Sequence, residues 1–424
     1  MNKARHTGFA KLSQKDVSAS VARHEMLHSG RMGGARAVFA FCDLSGLDLS
    51  GRNLADADFT GAIMEEANLT GAKLDSASFF GADLRRANLS GASLRRADLR
   101  GTSMRGANLI GADLYEADLR EGTIAEKDRH GNLRVLQHDL GPSEMPAAMM
   151  NSANLERAKL TGAIAVQADF TDAMMKGCRL TRANLRQARL NGANLENADL
   201  SGCNLTGADL AGCILIGAVL DFATTHGADM TRTLTETSTP NPEDVATIEL
   251  MLASHSRWAE TEGREGRPAD LTGRDLRHVQ KLSHRTLTAL IAPGALFYGV
   301  NLEGASLQGS NLAGCDMRAA KLGGADLRGV NFSGAMLNHA DMRDTKLGPL
   351  MISGARLLPA RLDNAQVRYA DLRGSDLRRA RLSGCDLSYA NLIEADMRET
   401  ETHGAEFAGA KLSARFAQAL AANA

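Results

Sequence analysis

The residues best suited to chemistry are two histidines and a glutamate near the N-terminus. His24, Glu25 and His28 stand in the sequence HEMLH, which matches a helical pattern in which two imidazoles bind zinc and the glutamate is the general base. No third ligand follows at the spacing of a metalloprotease, and a repeated array follows the segment instead. The sequence therefore favours a structural helix here and predicts no metal and no cofactor.

No other group of side chains has the spacing of a catalytic site. Serine, histidine and aspartate residues are scattered, and neither a nucleophile beside a base nor a glycine-rich phosphate loop stands out. The sequence thus predicts a protein that is not an enzyme.

Composition limits the architecture that would position any site. Of 424 residues, 4% are aromatic and 44% are hydrophobic, and 42 glycines against 8 prolines indicate many tight turns. The formal net charge is −1, and no window approaches the run of about 18 apolar residues that spans a membrane. The N-terminus lacks the apolar run of a signal peptide. We expect a cytoplasmic protein made of small repeated units.

The chain repeats every five residues. From Cys42 it reads CDLSG, LDLSG, RNLAD and ADFTG, and a central, mostly apolar residue recurs for 58 steps over residues 39–124, 155–230 and 297–412. This period fits neither an α-helix nor a simple strand. It fits a coil whose side is one short extended segment and one turn. The small residue and the central residue share the interior face, the residue between them points outward, and the last two residues form a corner that favours glycine.

This pattern resembles the pentapeptide repeat family over residues 37–124, 153–232 and 269–412. The resemblance implies an all-β solenoid, namely a right-handed quadrilateral β-helix in which four steps close one coil. Residues 20 apart then stack at the strand spacing of about 4.8 Å, and we call such a set a column. All six cysteines occupy the small inward position, where each replaces alanine as a buried hydrophobic residue.

Segments outside the arrays divide the chain into seven parts. We expect a basic N-terminal segment with a cap helix over 1–36, a first array over 37–124, an inserted loop over 125–152, a second array over 153–232, a linker with a second cap helix over 233–268, a third array over 269–412 and a C-terminal cap helix over 413–424. Each cap helix would cover the exposed apolar end of a coil. The C-terminal helix is expected to be a lid or a homodimer contact.

The columns show which charged residues stack on a residue of opposite charge and which stack on a residue of like charge. In the first array, opposite charges stack in the pairs Glu65–Arg85, Glu66–Arg86, Asp75–Arg95 and Arg96–Glu116. Such pairs neutralise that surface. In the third array, one predicted column ends in like charges: Lys321, Asp341, Arg361 and Arg381. We therefore expect an uncompensated arginine ridge there, suited to an acidic partner or a phosphate.

Two surfaces are the predicted partner-binding sites. Loops that protrude from rigid scaffolds often carry function, and the ridge supplies charge. The candidate residues are Asp128, Arg129, His130, Arg134 and His138 in the inserted loop, and Arg361, Arg368, Arg373, Arg378, Arg379, Arg381 and Arg398 in the arginine ridge.

Three function hypotheses follow. The first is a non-enzymatic scaffold that binds a protein partner of unknown identity. The second comes from the family resemblance, because some pentapeptide repeat proteins mimic B-form DNA and bind DNA gyrase. Mimicry needs a strongly negative surface. Formal charges of −5, 0 and +2 over residues 37–126, 153–232 and 269–412 disfavour mimicry over the whole length and leave it open for the first array alone. The third is attachment of the basic segment 1–36 to nucleic acid or an anionic membrane.

Overall fold

The computed structural model divides the chain into two compact units, Met1–Thr237 and Ser238–Ala424. It describes residues 9–122, 125–127, 133–135, 142–235, 242–279, 281–354, 356–413 and 416–418. Within these ranges, no helix has the length and apolar character needed to cross a membrane. Each unit is described by itself below.

Regular elements are few and short. The helices are α1, Gln14–His28, and α2, Pro242–Glu260. The strands are β1 Ala10–Lys11, β2 Cys42–Asp43, β3 Ala125–Lys127, β4 Leu133–Val135, β5 Leu350–Ser353, β6 Arg356–Leu358, β7 Asn391–Leu392 and β8 Lys411–Leu412. β1 pairs with β2 and β7 with β8 in parallel, whereas β3 and β4 form an antiparallel pair and β5 and β6 an antiparallel hairpin. No closed sheet forms among the described residues.

Isolated parallel bridges hold the arrays together. They join residues 20 apart and advance by five residues along the chain, so that Val38 bridges Asp58 and Asp58 in turn bridges Ser78. Each central residue donates its N–H to a carbonyl oxygen 19 positions later, as Phe39 does to Asp58 at 2.7 Å. Four bridges therefore make one coil. The predicted column spacing of 20 residues is observed except across the insertions and in the first coil of the third array, where Asp270 bridges Ile291 at a spacing of 21.

The small and central positions of each step form the interior. Phe39, Phe59 and Phe79 stack in one column at ring-centroid distances of 5.4 and 4.8 Å. Five of the six cysteines are buried at the small position, and Cys42 is half-buried. Burial raises the pKa of the Cys203 thiol to about 12, so this thiol stays protonated at neutral pH. The cysteines thus behave as core residues.

The corners turn through the left-handed backbone region whether or not glycine occupies them. Gly51 has a φ of 65°, and Asp56, one step later, has a φ of 61°. A residue with a Cβ pays about 1–2 kcal/mol for this conformation. Glycine is therefore favoured at the corner, but the coil tolerates other residues there.

Each unit begins with a helix that packs on its first coil. Ser13 starts α1 with a capping box, because its hydroxyl accepts the N–H of Asp16 and the Asp16 carboxylate accepts the N–H of Ser13. Val21 of α1 is buried in the core of the first unit. Ile248 and Leu252 of α2 are buried in the core of the second unit.

The insertion in the first unit is shorter than predicted. Bridges across it join residues 41 apart, such as Ser103 and Glu144, so it adds 21 residues to one coil. Met145 and Met150 are buried central residues of the resumed repeat, whereas the predicted loop over 125–152 included both. The repeat therefore resumes at Ser143 and not at residue 153, and the paired strands β3 and β4 lie inside the added segment.

A second insertion, which the sequence pattern did not predict, interrupts the third array over 269–412. Bridges across the β5–β6 hairpin join residues 30 apart, such as Asn331 and Arg361. The repeat pattern predicts Ile352 and Leu357 as interior residues, but both are exposed on the hairpin. Pro349 and Pro359 flank the segment. Because proline has no N–H to donate, it breaks the coil-to-coil ladder on both sides.

The C-terminal end is described only in part. Residues 416–418 form one helical turn. The Phe416 ring contacts Phe407 edge-on at a centroid distance of 5.7 Å, and it packs against the core of the second unit. The remainder of the predicted 413–424 helix lies outside the described residues, and its role as a lid or homodimer contact stays a prediction.

We expect Phe59→Ala to lower the free energy of unfolding of the first unit by about 3–5 kcal/mol, because it leaves a cavity between two stacked rings. Phe222, which is 96% exposed, offers a matched control. Phe222→Ala should change stability by less than about 0.5 kcal/mol. Urea unfolding followed by circular dichroism measures both, and equal effects would show that the stacked column does not stabilise the coil.

Candidate functional site

His24, Glu25 and His28 of the HEMLH sequence make hydrogen bonds that hold the fold together. His24 is buried, and its Nδ1 accepts the N–H of Ala37 at 3.1 Å. Glu25 accepts two hydrogen bonds from the Arg52 guanidinium at 2.9 and 2.7 Å, which lower the pKa of this carboxyl group. His28 Nε2 lies 3.0 Å from a backbone carbonyl oxygen. The pattern joins α1 to the first coil, and none of the described residues form a group of three metal ligands.

The second unit repeats this arrangement with a histidine that no motif singles out. His255 of α2 is buried, and its Nδ1 accepts the N–H of Ala269 at 3.1 Å. Ala37 occupies the small inward position in the first step of the first array, and Ala269 does so in the first step of the third array. Because Nδ1 must offer a lone pair, neither imidazole is protonated there. Burial is the main cause that lowers the pKa of both histidines, and the neighbouring His28 lowers that of His24 further.

We expect this pair to make folding stability depend on pH. Both pKa values are lowered from 6.5, so the unfolded chain takes up protons first. The stabilisation is complete above pH 6.5 and is lost as the pH falls through the lowered pKa values of the folded state. Urea midpoints should therefore decrease as the pH is lowered below that value.

Asparagine substitutions test the assignment, because the amide oxygen can accept the same N–H without titrating. The double variant His24→Asn and His255→Asn should show a flatter pH dependence of the urea midpoint between about pH 5 and 7. His226→Asn, at an exposed position, is the control and should keep the slope of the unmodified protein. A double variant with an unchanged slope would contradict the role given to the two imidazoles.

The arginines predicted to be uncompensated have carboxylate partners. The recurrent arrangement lies within one step, where an arginine pairs with the aspartate two residues before it. Arg373 Nη2 lies 2.7 Å from Asp371 Oδ2, and the Arg373 N–H donates to Asp371 Oδ1 at 3.2 Å. This fork joins both ends of a tight turn. The same fork occurs in Arg378–Asp376 and Arg398–Asp396.

The other ridge arginines pair with nearby carboxylates along or across the coils. These pairs are Arg361–Asp363 at 3.1 Å, Arg368–Asp386 at 3.5 Å, Arg379–Glu399 at 2.8 Å and Arg381–Glu401 at 3.3 Å. The prediction of an uncompensated ridge is therefore wrong. The predicted column is wrong only in its middle step, because Asp341 bridges Asp371 and Arg361 bridges Asn331, whereas Lys321 bridges Asp341 and Arg361 bridges Arg381 as predicted. The β5–β6 hairpin adds ten residues to that coil and changes which residues stack.

Part of the ridge lines a groove beside this hairpin. The cavity has a volume of about 410 Å³, and Gly348 and Pro349, directly before β5, form part of its wall. Its charged lining residues are Arg328, Arg378, Arg379, Arg398, Asp376 and Glu399. Three of the seven predicted ridge arginines thus meet at one place, with four cations against two carboxylates.

The hairpin presents apolar side chains next to the groove. Met351, Ile352 and Leu357 are 68%, 54% and 37% exposed. On the coil side the hairpin approaches Gly329 so closely that a Cβ there would lie 2.8 Å from the Cβ of Leu350. Only glycine allows this approach. The sequence pattern missed these residues because Ile352 and Leu357 fit the repeat, although the two flanking prolines were a usable signal.

Most of the predicted loop site lies outside the residues that the structure describes. Asp128, Arg129, His130 and His138 lie outside the described residues. Arg134 lies in β4, opposite Glu126 of β3. The role of this loop in partner binding stays a prediction.

Comparisons with known proteins identify the repeat. A family model described as pentapeptide repeats (8 copies) matches residues 42–81, 53–91, 82–121, 153–192, 178–215, 193–232, 286–318, 295–334, 310–348, 360–399 and 375–413. No curated protein sequence matches the chain.

Several solved structures resemble parts of the chain. A pentapeptide repeat protein from the cyanobacterium Cyanothece 51142 is 29% identical, covering 32% of this chain and 91% of its own, with a TM-score of 0.27. One from the Arabidopsis thaliana thylakoid lumen is 33% identical, covering 31% and 66%, with a TM-score of 0.17. The plasmid-mediated fluoroquinolone resistance protein QnrB1 is 17% identical, covering 50% and 96%, with a TM-score of 0.26.

Proposed function

The chain belongs to the pentapeptide repeat family, and we propose that it is a non-enzymatic scaffold that binds a partner protein through its second unit. The binding site in this proposal is the hairpin surface, defined as Met351, Ile352 and Leu357 of the β5–β6 hairpin with Arg378 and Arg398 of the adjoining groove. The exposed apolar hairpin is the observation that carries the proposal.

The scaffold in this proposal is a right-handed quadrilateral β-helix, with α1 and α2 as caps. Four bridges per 20-residue coil support the four-sided cross-section. Val17 of α1 and Leu252 of α2 are buried in the cores of their units, as expected of helices that cover the apolar end of a coil. A rigid coil of this kind holds an inserted hairpin at a fixed place.

The hairpin departs from the rule that governs the rest of the second unit. Elsewhere the coil buries its large central residues, whereas here three large apolar side chains within seven residues face solvent. An exposed apolar cluster rimmed by polar residues marks an interaction site. Because Leu350 packs the hairpin against Gly329, little conformational freedom is lost when a partner binds, and this favours affinity.

The groove indicates what kind of partner fits. In each fork the arginine uses its Nε–H and one Nη2–H on its own aspartate, as Arg378 and Arg398 do. A guanidinium has five N–H donors, so each retains donors for a partner although its charge is compensated. We therefore infer a protein with an apolar pocket that is flanked by carboxylate and carbonyl oxygens.

DNA mimicry directed at gyrase is not part of the proposal. A surface that imitates a phosphate backbone needs unpaired negative charge. In the first array, the most acidic one, Asp83 and Asp98 each pair with the arginine two residues later, at 2.6 and 2.7 Å. This pairing argues against mimicry, and no feature of the described residues favours it.

Site-specific photo-crosslinking tests the hairpin surface. A crosslinking amino acid at Ile352 should capture one recurrent protein from cells of the source organism, and the same group at exposed Phe222 should not. With that protein purified, Met351→Ser, Ile352→Ser and Leu357→Ser together should weaken binding about a hundredfold or more, because burial of each side chain contributes about 1.5 kcal/mol or more.

Phe222→Ser is the matched control, and it should leave the affinity unchanged. Circular dichroism should be the same for the triple variant and the unmodified protein. A triple variant that keeps its affinity would exclude the hairpin surface as the site. A crosslinked dimer of this chain would mean that the hairpin contacts a second copy, and it would overturn the proposal of a separate partner.

A further inference from the structure

The first unit contains a groove with a surplus of positive charge. Its volume is about 700 Å³, and the cations that line it are Arg96, Arg100, Arg157, Lys159 and Arg179. The first two arrays have formal charges of −5 and 0. The cluster of cations in this groove is therefore opposite in sign to the net charge of the surrounding arrays.

The carboxylates of the groove are already paired. Asp98 binds Arg100 and Asp118 binds Arg120, both at 2.7 Å. Glu116 lies 3.6 Å from Arg157. Three cations remain that have no ion pair with any described residue, and these are Arg96, Lys159 and Arg179.

The register across the first insertion explains the surplus. The predicted Arg96–Glu116 ion pair is not found among the described residues. The 21 added residues bring Arg157 next to Glu116, at 3.6 Å. They also bring Lys159 beside Asp118 on one side, and Lys159 bridges Arg179 on the other, which in turn bridges Asp199. Two cations therefore occupy neighbouring coils at the strand spacing of about 4.8 Å. Like charges directly opposite each other are destabilising, and an anion between them would remove this cost.

A glycine gives the groove its depth. Gly177 occupies the corner between Arg157 and Asn197 of the same column, with a φ of 63°. A Cβ at Gly177 would contact only Arg157 Cγ, at 3.8 Å. Asn197 takes the same left-handed conformation one coil later, with a φ of 55°. A side chain at residue 177 is thus compatible with the coil and would fill the hollow.

We propose that this groove binds a small, multiply charged oxyanion of the phosphate class through Arg96, Lys159 and Arg179. Guanidinium groups offer paired N–H donors to phosphoryl oxygens, and lysine adds a compact charge. The shared chemistry is the phosphoryl group, either free or carried by a larger small molecule. The proposal is independent of the hairpin surface, because the groove lies in the other unit.

Calorimetric titration of the full chain with pyrophosphate at constant ionic strength tests the proposal. We expect one saturable site per chain. The double variant Lys159→Gln and Arg179→Gln should weaken binding about a hundredfold, because each loses a charge-assisted hydrogen bond. Arg186→Gln removes a charge from an exposed residue of the same unit that does not line the groove, and it should change the affinity less than about twofold.

Gly177→Asn separates the shape of the groove from its charge. It retains every cation, and it should weaken pyrophosphate binding about tenfold while the circular dichroism spectrum stays unchanged. Inorganic phosphate that competes for the same site would assign it to a single phosphoryl group, and much tighter pyrophosphate binding would assign it to a ligand with two. Absence of saturable binding, or an equal loss in the Arg186→Gln variant, would overturn the proposal.

Discussion

The hydrogen bond from one central residue to the carbonyl oxygen 19 positions later governs the rest of the structure. It fixes which side chains share a column, since every coil must present its N–H groups to the next at the strand spacing. The Phe39–Phe59–Phe79 stack and the burial of the cysteines follow directly from it. So do the closeness of Lys159 and Arg179 and the separation of Asp341 from Arg361.

Insertions act on this structure by changing the register and not only by adding a loop. The first insertion places Arg157 beside Glu116, and Arg96 forms no ion pair with any described residue. The second replaces a predicted stack of charges and places apolar side chains beside the arginines of the groove. Both candidate surfaces therefore lie where the five-residue period fails. A regular array buries its apolar residues and pairs its charges, and an interruption is what leaves either of them available.

The sequence predicted the repeat well and the sites poorly, for physical reasons. A period of five constrains which residues face inward, so the interior position of residues such as Cys203 and Leu205 followed from spacing alone. Ion pairs depend on side-chain reach within one step, so the spacing of two residues between Asp371 and Arg373 did not by itself predict their fork. The hairpin was hidden because Ile352 preserves the period although its backbone leaves the coil.

The fork between an aspartate and the arginine two residues later has a consequence for how such a chain grows. Because Asp326–Arg328 or Asp341–Arg343 closes its charge inside a single step, that step carries its electrostatic balance with it. When five residues that contain a fork are duplicated or deleted, no charged side chain loses its partner. When the two members of a pair lie in different coils, as Lys176 and Glu196 do, deletion of one step leaves the other member unpaired. Steps with an internal fork are thus interchangeable units, and an array rich in them can lengthen, shorten or recombine without losing its charge balance.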